Sequence, residues 1–226
     1  MEEAGVDREL EIVCFTLGPF EENAYLLVGP SGRRALLVDP GLESEGILGT
    51  IEKRGLVLEL ILNTHGHLDH AAGNRFFKER TGAHLAIHPA DAPYLERLDA
   101  QAAAFGLHAE NSPPPDLELR EGTPLPFDGL LFSVLHTPGH TPGGVCLGLP
   151  GRLFVGDTLF RGSVGRTDLP GGSWDDLLRS IRTKLFTLPG ATVCHPGHGP
   201  ETTLAEERLH NPFVSDGASL ASEAGP

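Results

Sequence analysis

Four side chains able to bind a metal fall within six residues in the segment Thr64-His65-Gly66-His67-Leu68-Asp69-His70. A lone histidine is ordinarily a packed core residue or a solvated loop residue. Three histidines and an aspartate at this spacing are hard to explain without a cation, because imidazole and carboxylate are the donors that zinc, iron and manganese accept. Three further short segments have the same character: Thr137-Pro138-Gly139-His140-Thr141-Pro142-Gly143, Val155-Gly156-Asp157-Thr158 and Pro196-Gly197-His198-Gly199. Each sets a ligand-type side chain among glycines and prolines. Glycine permits close backbone approach and proline stiffens a loop, so both help to aim a side chain in advance. Any one of these three, taken without the histidine cluster, reads as an ordinary tight turn.

The elements that must position these residues are short. Apolar runs at Glu11 to Thr16, Ala24 to Val28 and Ala35 to Val38, separated by Gly and Pro, predict an opening β-meander. Helical spacing follows at Ile47 to Arg54, a buried strand at Leu58 to Asn63, and a helix at Ala71 to Arg80 closed by Gly82. The histidine cluster thus lies where a strand feeds a helix, a turn whose backbone neither element consumes. Ala83 to Ile87 is a further strand and Ala90 to Ala104 a helix, after which the chain loosens at Asn111 to Pro115, a lid or a linker. Strands are expected at Leu130 to His136, Val145 to Leu149, Arg152 to Val155 and Thr192 to Cys194, and a helix at Trp174 to Phe186, with Trp174 packing at its start. Two β-rich halves, each followed by helices and without a short repeat, predict packed sheets with helices outside.

Composition narrows the class. The 226 residues, 39% hydrophobic, suit one domain, expected over 1–214, with a small, polar and poorly ordered tail over 215–226. A formal charge of −14 disfavours nucleic acid and anionic membrane surfaces as partners. Met1 to Leu10 is acidic and lacks the marks of a secretory signal, and no apolar stretch reaches spanning length, which predicts a cytoplasmic protein. Cys14, Cys146 and Cys194 are odd in number and widely spaced, so buried free thiols are expected in place of disulfides.

The combination His-x-His-x-Asp-His, Gly-His, Gly-Asp-Thr and Pro-Gly-His resembles the metallo-β-lactamase superfamily, which implies an α/β fold of the four-layer αββα sandwich type. Within it, Gly156-Asp157-Thr158-Leu159-Phe160 through Gly165-Arg166-Thr167-Asp168, Gly197 to Thr202, and Asn211-Pro212-Phe213 resemble the short glyoxalase II-like hydrolases. The likeness runs from about Phe15 to Phe213. Carried over residue by residue, it implies two divalent metal ions, zinc as first choice with iron or manganese as alternatives. His65, His67 and His140 would hold one, Asp69, His70 and His198 the other, and Asp157 would bridge them. Asp39 is a candidate to fix a ligand imidazole, or simply a turn cap.

The resemblance implies hydrolysis of a small-molecule thioester, glutathione-derived S-lactoylglutathione or a related acyl-thiol, by metal-activated hydroxide, with Asp69 and Asp157 catalytic. Glyoxalase II proper adds a C-terminal helical domain that grips glutathione, and the likeness here covers the catalytic core alone. Arg166 matches a basic residue that touches the thiol's carboxylate in related hydrolases, and Arg161 is a poorer candidate; a surface ion pair explains either arginine about equally well. The persulfide dioxygenases of the same superfamily offer an alternative with one iron on His65, His140 and Asp157. A metal-binding protein without catalysis is a third reading, which needs a closed coordination shell. His84, His88, His108, His136, His195 and His210 lack matched spacing, though His136 and His195 lie close enough to the motifs to support them.

Overall fold

A computed structural model describes residues 9–41 and 45–215. The first sheet has the order β1-β2-β3-β4-β5-β6, formed by β1 (Glu11–Leu17), β2 (Glu22–Val28), β3 (Arg34–Val38), β4 (Val57–Leu62), β5 (His84–Ile87) and β6 (Leu117–Glu118). β1, β2 and β3 pair antiparallel as the expected meander, and β4 to β6 add in parallel. The second sheet holds β7 (Leu125–Phe127), β8 (Leu130–His136), β9 (Val145–Leu149), β10 (Arg152–Gly156), β13 (Val193–Pro196) and β14 (Thr202–Thr203); β11 (Leu159–Phe160) and β12 (Ser163–Val164) form a separate hairpin.

Three apolar clusters fix the layers. The alternating residues Tyr25, Leu27, Leu36, Val38, Leu60 and Leu62 of the first sheet meet Phe132, Val134, Val145, Leu147 and Phe154 of the second, so the two sheets pack face to face. The opposite side chains of the first sheet, among them Leu26, Leu37 and Ile61, pack against helices α1 (Glu45–Arg54), α2 (Leu68–Ala71), α3 (Asn74–Thr81), α4 (Ala92–Leu95) and α5 (Leu98–Ala104). The outer face of the second sheet, with Leu153, Val155 and Cys194, is covered by α6 (Trp174–Ser180), the π-helical turn Ile181–Leu185 that continues it, and α7 (Leu204–His210). The result is the expected helix–sheet–sheet–helix sandwich. Among the described residues no helix is long and apolar enough to cross a membrane.

Several elements differ from the periodicity. The helix expected at Ala71 to Arg80 begins inside the motif at Leu68 and is interrupted before Asn74, but ends as expected on Gly82, whose φ of 72° closes it through a bond to the Lys78 carbonyl. The run Ala90 to Ala104 is two helices, because the Tyr94 carbonyl is taken by the Arg97 N–H and the Gln101 side chain and cannot serve a continuing turn. Trp174 to Phe186 changes from α to π geometry at Ile181. Cys146 and Cys194 are buried and free as expected, whereas Cys14 is free but exposed, since it sits on the outward side of the edge strand β1. The expected tail lies, beyond Ser215, outside the described residues.

Candidate metal centre

Strand direction brings the motifs together. β8 and β10 both run antiparallel to β9, and β13 runs parallel to β10, so β8, β10 and β13 end at the same edge of the second sheet. His140, Asp157 and His198 follow those ends, and the cluster His65 to His70 follows β4 of the facing sheet. The Asn23 N–H donates to the Gly197 carbonyl at 2.7 Å and the Val145 N–H to the Thr64 carbonyl at 2.9 Å, which ties the two sheets beside the site.

All seven sequence-selected side chains converge there. Ligand atoms of His65, His67 and His140 lie within 4.8 Å of one another, as do those of Asp69, His70 and His198, and those of His65, His70 and Asp157. Asp157 stands between the groups: Oδ1 is 3.3 Å from His70 Nε2, and Oδ2 is 3.5 Å from His140 Nε2 and 3.6 Å from His198 Nε2. His198 Nε2 also lies 3.3 Å from Asp69 Oδ2.

Hydrogen bonds on the far side of the rings aim their lone pairs inward. His140 Nδ1 donates to the Arg166 carbonyl at 2.7 Å and His198 Nδ1 to the Phe20 carbonyl at 3.0 Å, so each carries a proton on Nδ1 and turns Nε2 toward the site. Asp39 does the same for His70 at 3.1 Å, and is itself held by the Thr64 N–H at 2.7 Å and the Thr64 hydroxyl at 2.6 Å. Asp39 is therefore more than a turn cap. It adopts a φ of 51°, uncommon for a non-glycine residue.

Other supports were not visible in the sequence. Asp91, fully buried, accepts the Gly66 N–H at 3.0 Å and the Gly143 N–H at 2.6 Å, so one carboxylate clamps the histidine cluster to the loop carrying His140. Asn63 donates to the His70 carbonyl at 2.9 Å, and Gln101 braces the cluster by accepting the Leu68 N–H at 3.0 Å. Gly165 leaves no room for a Cβ, which would run into the Asp157 carbonyl. His136 and His195 pack elsewhere: His136 stacks on His88 and reaches the Pro142 carbonyl at 2.9 Å, in the loop that carries His140, and His195 stacks on Phe154. Arg166 lines the cavity above the cluster, and Arg161 is exposed away from it.

Do these side chains fit a metal? His65 Nε2, His70 Nε2 and Asp157 Oδ1 are buried without a hydrogen-bond partner, although burying an unsatisfied polar atom costs about 1–3 kcal/mol. Three such orphans pointing at one another, in a donor set free of thiolate, suit divalent cations. The protein's own charges say the same. Burial holds His65 well below the usual histidine range and His67 down to about 3, leaving neutral ligands. Burial also works against a charged His70, but Asp157 and Asp69 outweigh it and push His70 well above that range. Burial works against an ionised Asp157 as well, and His70 foremost among its neighbours overcomes it, holding the carboxyl well below the carboxylate range. A cation can replace the His70 proton in that role.

Above the cluster opens a cavity of about 850 Å³. Its floor includes His67, Asp69, His140, Asp157 and His198, and its walls are largely apolar, with Phe20, Leu68 and Phe160 among them. The volume is that of a small-molecule site.

The family model that matches the chain is that of the metallo-β-lactamase superfamily, over residues 17–198. A hydroxyacylglutathione hydrolase, GloC, of Haemophilus influenzae is 38% identical over 210 residues, covering 91% of this chain and 98% of that protein. Two solved structures are similar throughout. The BLEG-1 B3 metallo-β-lactamase shares 35% identity at a TM-score of 0.84, covering 90% of this chain and 99% of that one. TTHA1623, determined in a di-iron-bound form, shares 43% identity at a TM-score of 0.82, covering 89% and 100%.

Proposed function

The chain belongs to the metallo-β-lactamase superfamily, and from that premise we propose that it hydrolyses a thioester, S-lactoylglutathione or a related acyl-thiol, at a two-metal centre. The observation that carries the reading is the position of Asp157, within 3.6 Å of histidines from both donor groups at the floor of an open cavity. The relative named as a hydroxyacylglutathione hydrolase supports the substrate class.

His65, His67 and His140 would hold one divalent ion and Asp69, His70 and His198 the second, with Asp157 shared. Zinc is the first choice, and the di-iron form of TTHA1623 makes iron the main alternative. Bound there, such a pair supplies Lewis acidity to the thioester carbonyl and brings the acidity of water toward neutral pH. The protein's part is orientation and proton handling. Asp69, partly exposed at the floor, and Asp157 would orient the attacking oxygen; Asp39 and the Phe20 and Arg166 carbonyls keep the imidazoles of His70, His198 and His140 from turning, and Asp91 holds together the two loops that carry them. A departing thiolate, with a pKa near ~8.5, needs no general acid. The apolar walls strip water from the thioester and so strengthen every charge interaction below it.

The test pairs metal analysis with two assays on protein purified without added metal. Two metals per chain with turnover of S-lactoylglutathione is the expected result. One iron per chain, with oxygen uptake on glutathione persulfide and no thioester turnover, would overturn it. His70→Ala should lose the second metal and lower kcat/KM by about 100-fold or more, the scale on which metal-site supports act.

A further inference from the structure

The cavity wall holds one polar side chain that nothing occupies. Apart from the metal-binding floor, the polar residues facing the cavity are Tyr94, Arg97, Gln101 and Arg166. Tyr94 gives its hydroxyl proton to the Pro170 carbonyl at 2.7 Å. Gln101 is spent on both ends, its amide donating to the Gly66 and Tyr94 carbonyls at 3.2 Å and its oxygen accepting from Leu68. Arg166 forms a two-pronged pair with Asp168, both bonds 2.7 Å, on the exposed rim, so an incoming anion would have to share it with that carboxylate. Arg97, in the break between α4 and α5, has no hydrogen-bonding or ionic partner for its guanidinium among the described residues.

The rest of the wall is apolar. Phe20 and Phe105 meet edge to face at 5.2 Å, and Phe105 keeps 56% of its surface exposed at the end of α5. Leu68, Phe160 and Leu169 continue the lining. A ligand made of amides and several charges, as a peptide thiol is, would lay polar groups against surfaces that return no hydrogen bonds, and each unpaired group weakens binding. An apolar body loses nothing there, and one anion gains the solvent-exposed Arg97 guanidinium, which no other side chain of the wall engages.

We propose that, among the acyl-thiols this site hydrolyses, it prefers an apolar molecule with a single anionic group to a glutathione thioester, and that Arg97 is the residue that makes the selection. The reaction assumed is the thioester hydrolysis proposed above; the recognition rests on the wall alone. Arg97 thereby takes the anchoring role for which Arg166 is the sequence candidate.

Two measurements on the metal-loaded protein separate recognition from reaction. The first is kcat/KM for paired thioesters differing by one charge: the hexanoyl thioester of 3-mercaptopropionate against its methyl ester, and the adipoyl thioester of 2-mercaptoethanol against its methyl adipoyl counterpart. The second is calorimetric binding of the non-hydrolysable S-hexyl-3-mercaptopropionate and its methyl ester. Wild type should favour the anion by about tenfold in binding and in at least one thioester pair, the scale of a charge-assisted hydrogen bond. Arg97→Ala should bring the ratio near one without weakening the neutral probe, Arg97→Lys should keep part of the preference, and Arg166→Ala should leave it in place. Loss of both probes alike in Arg97→Ala, or loss of the preference in Arg166→Ala alone, overturns the assignment. Charge-selective binding through Arg97 with no thioester turned over would leave the recognition standing and sink the thioesterase reading. Turnover with no charge preference would do the reverse.

Discussion

Asp39 shows how a single residue outside the metal-binding set can govern the chemistry. Its carboxylate takes two hydrogen bonds from Thr64 and one from His70, so it fixes both a strand end and a ligand's tautomer. Asp39→Asn preserves shape but offers an N–H where the His70 N–H requires an acceptor. Affinity at the second metal should fall by about 10–100-fold, measured by chelator competition, with the first site little changed. Unaltered binding at both sites would remove the tautomer argument. The seven putting ligands forward were legible because histidine and aspartate amid Gly and Pro are chemically conspicuous. Asp91 was not, since a lone aspartate before a helix reads as a cap, and only the fold shows it receiving two N–H groups from loops distant in sequence. Arg97 left no mark at all, because an arginine in a helical-looking run carries no sign of lacking a partner.

At the scale of elements, strands were read more faithfully than helix ends. β2, β3 and β4 are nearly continuous apolar runs bounded by turn residues, and burial on both faces leaves them one conformation. The helices were divided by contacts no local pattern records. Gln101 takes the Tyr94 carbonyl and splits α4 from α5, while also gripping the histidine loop through Gly66 and Leu68. Gln101→Ala should therefore loosen the loop that carries His67 and Asp69, raising hydrogen exchange there while the strands of both sheets stay protected. Gly82 tests a purely local cause. Its φ is 72° and a Cβ would meet nothing within 4 Å, so Gly82→Ala should cost about 1 kcal/mol by urea unfolding and leave metal content unchanged.

For the whole molecule, the donors come from the ends of both sheets, so a bound cation ties the sandwich across its edge. Metal at 100-fold its Kd adds about 2.7 kcal/mol per site, and chelation should lower Tm in a single transition that metal restores. A Tm insensitive to chelator would mean the donors do not bind metal in the folded protein. Stability should also fall in mild acid through a group remote from the centre. Burial, with help from neighbouring His136 and Arg120, lowers the His88 pKa from its ordinary 6.5 to about 4. Between those values the unfolded chain binds the extra proton, so stability present above pH 6.5 is lost as pH falls toward 4. His88→Gln should flatten that part of the profile in urea titrations, and an unchanged slope would assign the acid sensitivity elsewhere.

The floor of the cavity and its upper wall are held by different contacts. Asp39 and the Arg166 and Phe20 carbonyls lock the rings of His70, His140 and His198, whereas Arg97, Ala104 and Phe105 belong to the connection between β5 and β6, which meets the histidine cluster through Asp91 and Gln101. If the proposed recognition holds, exchanging residues 97, 104 and 105 should alter which molecules are admitted and leave the metal content as it is. Such an arrangement would let one reactive base serve many diets, with each change of menu written in a stretch of surface helix.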